Sequence, residues 1–148
     1  MKDIVERNGI EREGILNSIL DFLASQVGSL TNPTSVANSI GSMRHEKVNS
    51  SLVSSYITHT VDAFLLRVAQ RYDVKGKSYF NYPNKYYYTD IGLRNARLNY
   101  RQYDPGHIME NIIYNDLIRR GYNVDVGVVV HRRNGGYVQK EIDFVVNQ

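Results

Sequence analysis

Phe64-Leu65-Leu66-Arg67-Val68, Asp73-Val74-Lys75-Gly76-Lys77, Tyr79-Phe80-Asn81-Tyr82 and Lys85-Tyr86-Tyr87-Tyr88 follow one another within residues 64–88. In the first run Phe64, Leu66 and Val68 alternate with Leu65 and Arg67, the period of a strand. The second run joins Asp, Lys and Gly, which is turn chemistry. The last two read as a returning strand broken at Pro83, because proline cannot donate to a sheet ladder. The stretch is thus a β-hairpin, and what surrounds it decides the fold class.

Upstream the period is helical. Residues 1–8 form a short helix stopped by Gly9. Ile15, Leu16, Ile19, Leu20, Leu23 and Val27 recur at helical spacing up to Gly28. Asn32-Pro33 starts the next helix, a cap followed by a residue that needs no amide partner, with Val36, Ala37 and Ile40 apolar and Gly41 as its end. Asn49 or Ser50 caps another, with Leu52, Val53, Tyr56, Ile57 and Val61 on its buried side. Its other side carries Ser51, Ser54, Ser55, Thr58 and His59. Small hydroxylated residues are poor helix formers, so phosphate or base-edge contact, or plain solvation, accounts for them. Three main helices followed by a hairpin is the order of a winged helix, although the link between the second and third is longer than a tight helix-turn-helix.

Charge is uneven. Arg67, Arg71, Lys75, Lys77, Lys85, Arg94, Arg97 and Arg101 stand against Asp73 and Asp90, whereas the whole chain is only +3. Outside that window ten basic residues face thirteen acidic ones. Eight of the 12 tyrosines lie in the window or at its edge. Lys and Arg neutralise phosphates while tyrosines add planar contact area, which suits a polyanion. The alternative is a strand pair whose tyrosines pack a core and whose lysines solvate an edge.

Downstream, Asp90 to Leu98 reads as a short helix, and Asp104-Pro105-Gly106 as a boundary between residues 1–104 and 105–148. Ile108, Met109, Ile112, Ile113 and Leu117 then outline an amphipathic helix ending near Gly121. Val124, Val126, Val128 and Val130 alternate with other residues as a strand. Asn134-Gly135 is a hairpin turn, with Val138, Ile142, Phe144, Val145 and Val146 on the return. The fold class is α+β. Two strands and one helix bury little surface. The last strands are therefore expected to pair outside their own chain or to leave an edge open, and a homodimer through them is one outcome. The chain stops just after a strand, so a closing element is expected to be missing.

Several chemistries have no residues to carry them. The absence of cysteine removes disulfides, thiolate metal sites and a cysteine nucleophile. There is no phosphate-binding G-x-x-x-x-G-K-S/T, and His45, His59, His107 and His131 form no i, i+4 pair. No apolar run reaches membrane-spanning length, and the charged start is unlike a signal peptide, so a cytoplasmic protein is expected. One pair remains. Glu110, in the first turn of a helix, and Asp143, within a strand, resemble the carboxylates with which PD-(D/E)XK nucleases hold Mg²⁺. No Glu/Gln-x-Lys strand follows Asp143, and Lys140 precedes it. Glu110 and Asp143 are accordingly read as relics without catalysis, or as a helix-capping Glu and a solvent-facing strand residue. No resident metal or cofactor is expected.

Taken together, the blocks resemble the C-terminal region of a large group of archaeal and bacterial AAA-type ATPases. The resemblance rests on Lys2-Asp3-Ile4-Val5-Glu6-Arg7, Leu23-Ala24-Ser25, Pro33-Thr34-Ser35-Val36-Ala37-Asn38 and Asp62-Ala63-Phe64-Leu65. It continues through Lys85-Tyr86-Tyr87-Tyr88-Thr89-Asp90-Ile91-Gly92-Leu93-Arg94-Asn95-Ala96 and Gly106-His107-Ile108-Met109-Glu110-Asn111. Arg119-Arg120-Gly121-Tyr122 and Glu141-Ile142-Asp143-Phe144-Val145 complete it. That region is a domain of unknown function described as a winged helix followed by a restriction-endonuclease-like module. The resemblance implies that the chain is the C-terminal part of a longer ATPase. ATP hydrolysis then belongs to a core outside it, and the second module is cut short.

Three functions compete. The first is a non-catalytic accessory module that contacts double-stranded DNA. Arg71, Lys75, Lys77 and Lys85 would touch phosphates, and Ser51, Ser54, Ser55 and Thr58 would enter the major groove. The second is a protein-interaction or oligomerisation module that packs on the ATPase core or on a copy of itself. The third, ranked last, is a nuclease.

Overall fold

The structure, a computed structural model, describes residues 2–133 and 135–147. The expected Asn134 turn residue lies outside them. Among the described residues there are six helices and a four-stranded mixed sheet. The helices are α1 (Lys2–Asn8), α2 (Glu13–Ser25), α3 (Pro33–Arg44) and α4 (Ser50–Asp62), then α5 (Ile91–Arg97) and α6 (Pro105–Arg119). The strands are β1 (Leu66–Asp73), β2 (Ser78–Tyr88), β3 (Asn123–Arg133) and β4 (Gly136–Asn147). No helix among the described residues is long and apolar enough to cross a membrane.

The caps follow the sequence. Asn32 accepts from the Ser35 amide and Ser35 closes a capping box in return. Asn49 accepts from the Ser51 amide at the start of α4. Asp90 caps α5 and Asp104 caps α6. Phe64 is a correction. It lies in the turn before β1 at φ 56° and is exposed, so its apolar alternation with Leu66 does not extend the strand. α2 also ends at Ser25, short of Gly28.

The sheet runs β2-β1-β3-β4. β1 pairs antiparallel with β2, and the ladder slips between Ala69 and Arg71. That slip leaves residues 81–84 free of β1, which is where Pro83 stands. Asn84 instead exchanges both backbone hydrogen bonds with Thr31, at 2.8 and 2.9 Å. β3 pairs in parallel with β1 over Arg71–Asp73, and antiparallel with β4. Of the two outcomes expected of the last strands, the structure shows only the open edge, not a partner outside the chain. β3 finds its partner within the chain, while β4 has no strand on its outer side among the described residues.

The two faces of β2 enter different cores. Tyr86 and Tyr88 pack with α2, α3 and α4, beside Ile15, Leu20, Val36, Ile40, Val53 and Ile57. Tyr87, between them, packs on the other face with Val27, Ala69, Tyr114, Val124 and Val126. Its ring stacks on Tyr114 with centroids 4.2 Å apart. A strand buried on both faces needs no polar alternation, which explains three consecutive tyrosines.

Candidate functional site

The residues singled out by sequence divide between two places. The first is the face formed by α3, α4 and β2. A cavity of about 610 Å³ lies there, lined by Asn32, Thr34, Ser35, Asn38, Ser50, Ser51, Ser54 and Tyr82 with Pro33. The N-terminal turns of α3 and α4 both open onto it, so side-chain hydroxyls share one concavity with two capped helix starts. A second cavity of about 250 Å³ adjoins it between α4 and the hairpin, lined among others by Thr58, Gln70, Tyr82 and Asn84. Ser51, Ser55 and Thr58 are exposed and Ser54 is half-buried. Ser54 and Thr58 thus stand in the concavities, while Ser55 lines neither and bonds His59 at 3.2 Å.

The hairpin cations separate. Lys75 and Lys77 are exposed at the tip, in the turn that Asp73 closes by accepting from the Lys75 and Gly76 amides at 3.0 Å each. Arg71 donates to Gln139 on β4 at 2.9 Å and lies 4.9 Å from the centroid of the Phe80 ring. Its guanidinium is partly spent within the protein. Tyr79 donates to Asp125 on β3 at 2.8 Å, so the hairpin is tied to the later strands.

Lys85 departs from the expectation entirely. Its side chain is 4% exposed and its ammonium faces inward, 2.9 Å from Glu110 on α6, 2.7 Å from Glu141 and 3.6 Å from Asp143 on β4. Tyr87 donates to the same Glu110 oxygen at 2.6 Å. Burial alone would lower the Lys85 pKa, but the bonds to Glu141 and Glu110 outweigh it and hold the ammonium above its ordinary value. Burial, and then the bond to Glu110, push the Tyr87 hydroxyl well up. Gly28, at φ +73°, lets the loop after α2 pass against this junction, where a Cβ would stand 3.1 Å from His107 and 3.3 Å from Glu110.

Glu110 and Asp143 are thus brought together, but around a protein cation. Glu110 also lies in the second turn of α6, not the first. A hard divalent cation needs several oxygens around an open centre. Here the Lys85 ammonium stands between the carboxylates, and among the described residues no group of three or more His, Asp or Glu is arranged to hold a metal ion. The carboxylates are thus compensated by a cation of the protein itself. Sequence reasoning missed Asn111, fully buried beside Glu110, whose amide bonds the Tyr88 backbone. Its one signal is an Asn at a position where an amphipathic helix would carry an apolar residue.

Residues 1–104 match the family described as a domain of unknown function, DUF8612. The chain belongs to this family. The DUF8612 match ends at the residue that caps α6. Over 148 residues the DUF8612 chain is 36% identical to an uncharacterized protein of Haemophilus influenzae, covering 100% of this chain and 35% of that protein. It is 25% identical to the uncharacterized protein MJ1544 of Methanocaldococcus jannaschii, covering 98% of this chain and 31% of that protein. The chain spans about a third of the length of these curated relatives. No solved structure matches it.

Proposed function

We propose that this DUF8612 chain is a non-catalytic, cytoplasmic accessory module that contacts double-stranded DNA. In this reading α2, α3, α4 and the β1–β2 hairpin act as a winged helix, and α6, β3 and β4 as a reduced endonuclease-like piece. The module would serve a longer AAA-type ATPase whose core lies outside this chain. The observation that carries the reading is the concavity where the first turns of α3 and α4 converge, lined by Thr34, Ser35, Ser50, Ser51 and Ser54. Backbone amides at helix starts and hydroxyls are phosphate-contacting groups, and they carry little base information. Lys75 and Lys77 add exposed charge at the hairpin tip. Lys85 has no part in it, because its charge is buried among carboxylates. The same burial argues against a nuclease role for Glu110 and Asp143.

Binding should be weak and largely independent of sequence. With about two lysine–phosphate contacts, a titration of a short duplex gives a log–log salt slope near −2, and removing both lysines flattens it by nearly that amount. Duplex DNA that fails to bind at low salt, or binds equally after Lys75→Ala and Lys77→Ala together, removes this reading. A protein-assembly module then takes its place. The observation favouring that second reading is the open β4 edge, where Val138, Ile142 and Val146 are exposed. Its measurement is the oligomeric state of the chain across concentration.

A further inference from the structure

We propose that the outer face of α6 is a docking surface for a basic amphipathic helix, independent of any DNA contact. Met109, Ile112 and Ile113 stand at i, i+3 and i+4, the spacing of one helix face. They are 58%, 52% and 43% exposed, so α6 turns an apolar stripe to solvent while Asn111 and Tyr114 pack inward. Two cavities flank the stripe. One, of about 500 Å³, is lined by Met109 and Ile113 with Asp104, Glu110 and Asp143. The other, of about 630 Å³, is lined by Ile112 and Ile113 with Asp90, Asp116 and Arg119. An apolar stripe between concavities is the form of a helix-in-groove site.

Charge selects the occupant. On the Met109 side three carboxylates border the groove, and the Lys85 ammonium behind Glu110 offsets only part of them. On the Ile112 side Asp116 bonds Arg120 and Arg119 lines the same cavity as Asp90, so the acidic excess lies beside Met109. A second copy of this chain would bring the same carboxylates against themselves, and like charges at an interface disfavour the wrong partner. A helix with leucines at i, i+3 and i+4 and lysines or arginines beside them satisfies both the stripe and its rim.

The test uses the whole chain and two synthetic helical peptides with one leucine pattern, one bearing lysines and the other glutamates at the polar positions. Fluorescence anisotropy should show the lysine peptide binding more tightly by about tenfold or more, with the advantage falling as salt rises. The pair Ile112→Ser and Ile113→Ser should weaken it by about tenfold, as should Met109→Ser together with Ile112→Ser. Both double variants change exposed side chains, and their thermal unfolding should stay close to that of the parent. Equal binding of the two peptides, or unchanged binding in both double variants, overturns the proposal. Self-association of the chain that disappears in the Ile112/Ile113 variant also overturns it, in favour of a second copy. DNA affinity should be the same in all of these variants, so failure here is distinct from failure of the DNA reading.

Discussion

The side-chain amide of Asn111 closes on both backbone polar groups of Tyr88, accepting from its N–H at 2.9 Å and donating to its C=O at 2.8 Å. One side chain thereby does what a neighbouring strand would do. Tyr88 in turn donates its hydroxyl to the Leu20 carbonyl on α2 at 2.6 Å, so α2, β2 and α6 are joined through two residues. Asn111→Asp keeps the size but loses the donor and places a charge beside a carbonyl. It should cost about 3 kcal/mol or more in denaturant unfolding, and Asn111→Ala about 2 kcal/mol. Equal stability of the three proteins would show that the pairing contributes nothing.

Gly127 makes the β3–β4 bulge possible. The register sets Gly127 against Ile142 and Asp125 against Val145, so Asp143 and Phe144 share the place opposite Val126. A Cβ on Gly127 would lie 2.6 Å from the Val145 side chain and 2.9 Å from the Ile142 Cβ. The Ile142 Cβ is fixed to the backbone and cannot step aside. Gly127→Ala should destabilise the chain by about 1–3 kcal/mol, with amide exchange rising first in β4. Unchanged protection along β4 would contradict this.

Lys85 and the two tip lysines sit on one hairpin but should respond differently. Lys85→Ala leaves Glu110, Glu141 and Asp143 without their shared cation, and removing one partner of a buried pair costs about 3 kcal/mol. Lys75→Ala and Lys77→Ala alter exposed turn residues and should each change stability by no more than about 0.5 kcal/mol. Thermal and denaturant unfolding of the three variants checks the contrast. A tip lysine that matters as much as Lys85 would sink it.

What the sequence made legible was local. The caps at Asn32 and Asn49 could be read because a cap needs only its own next three residues, whereas Asp104, read as a boundary, turns out to cap α6. The hairpin was legible from its turn and its alternation. Lys85 was misplaced because β2 is long, running from an exposed tip into a buried junction, and the composition of a window does not separate its two ends. The face of α6 was misread for a related reason. Met109, Ile112 and Ile113 have core spacing, yet the junction requires the Asn111 amide for the Tyr88 backbone. That demand is tertiary and leaves no period in the sequence. The parallel β1–β3 pairing was not anticipated, because only three residue pairs carry it across a long separation in the chain.

Alkaline titration should unfold the protein through its buried tyrosines. Burial raises the hydroxyl pKa of Tyr86 and of Tyr114 to about 12, and raises Tyr87 and Tyr88 further in the same direction. In the unfolded chain each ionises near the ordinary value of about 10. A folded pKa above the unfolded one gives stability that is complete below pH 10 and drains away as pH climbs toward the folded value. Lys85, also held above its ordinary value, adds to the loss on the same side. Stability should therefore be insensitive to these groups through neutral pH and fall steeply above pH 10. Tyrosinate absorbance and far-ultraviolet circular dichroism, followed together, check it. Tyr86, Tyr87, Tyr88 and Tyr114 should ionise only as the helical signal collapses. If these four ionise before any loss of helix, the packing of Tyr86, Tyr87 and Tyr88 between two cores is wrong.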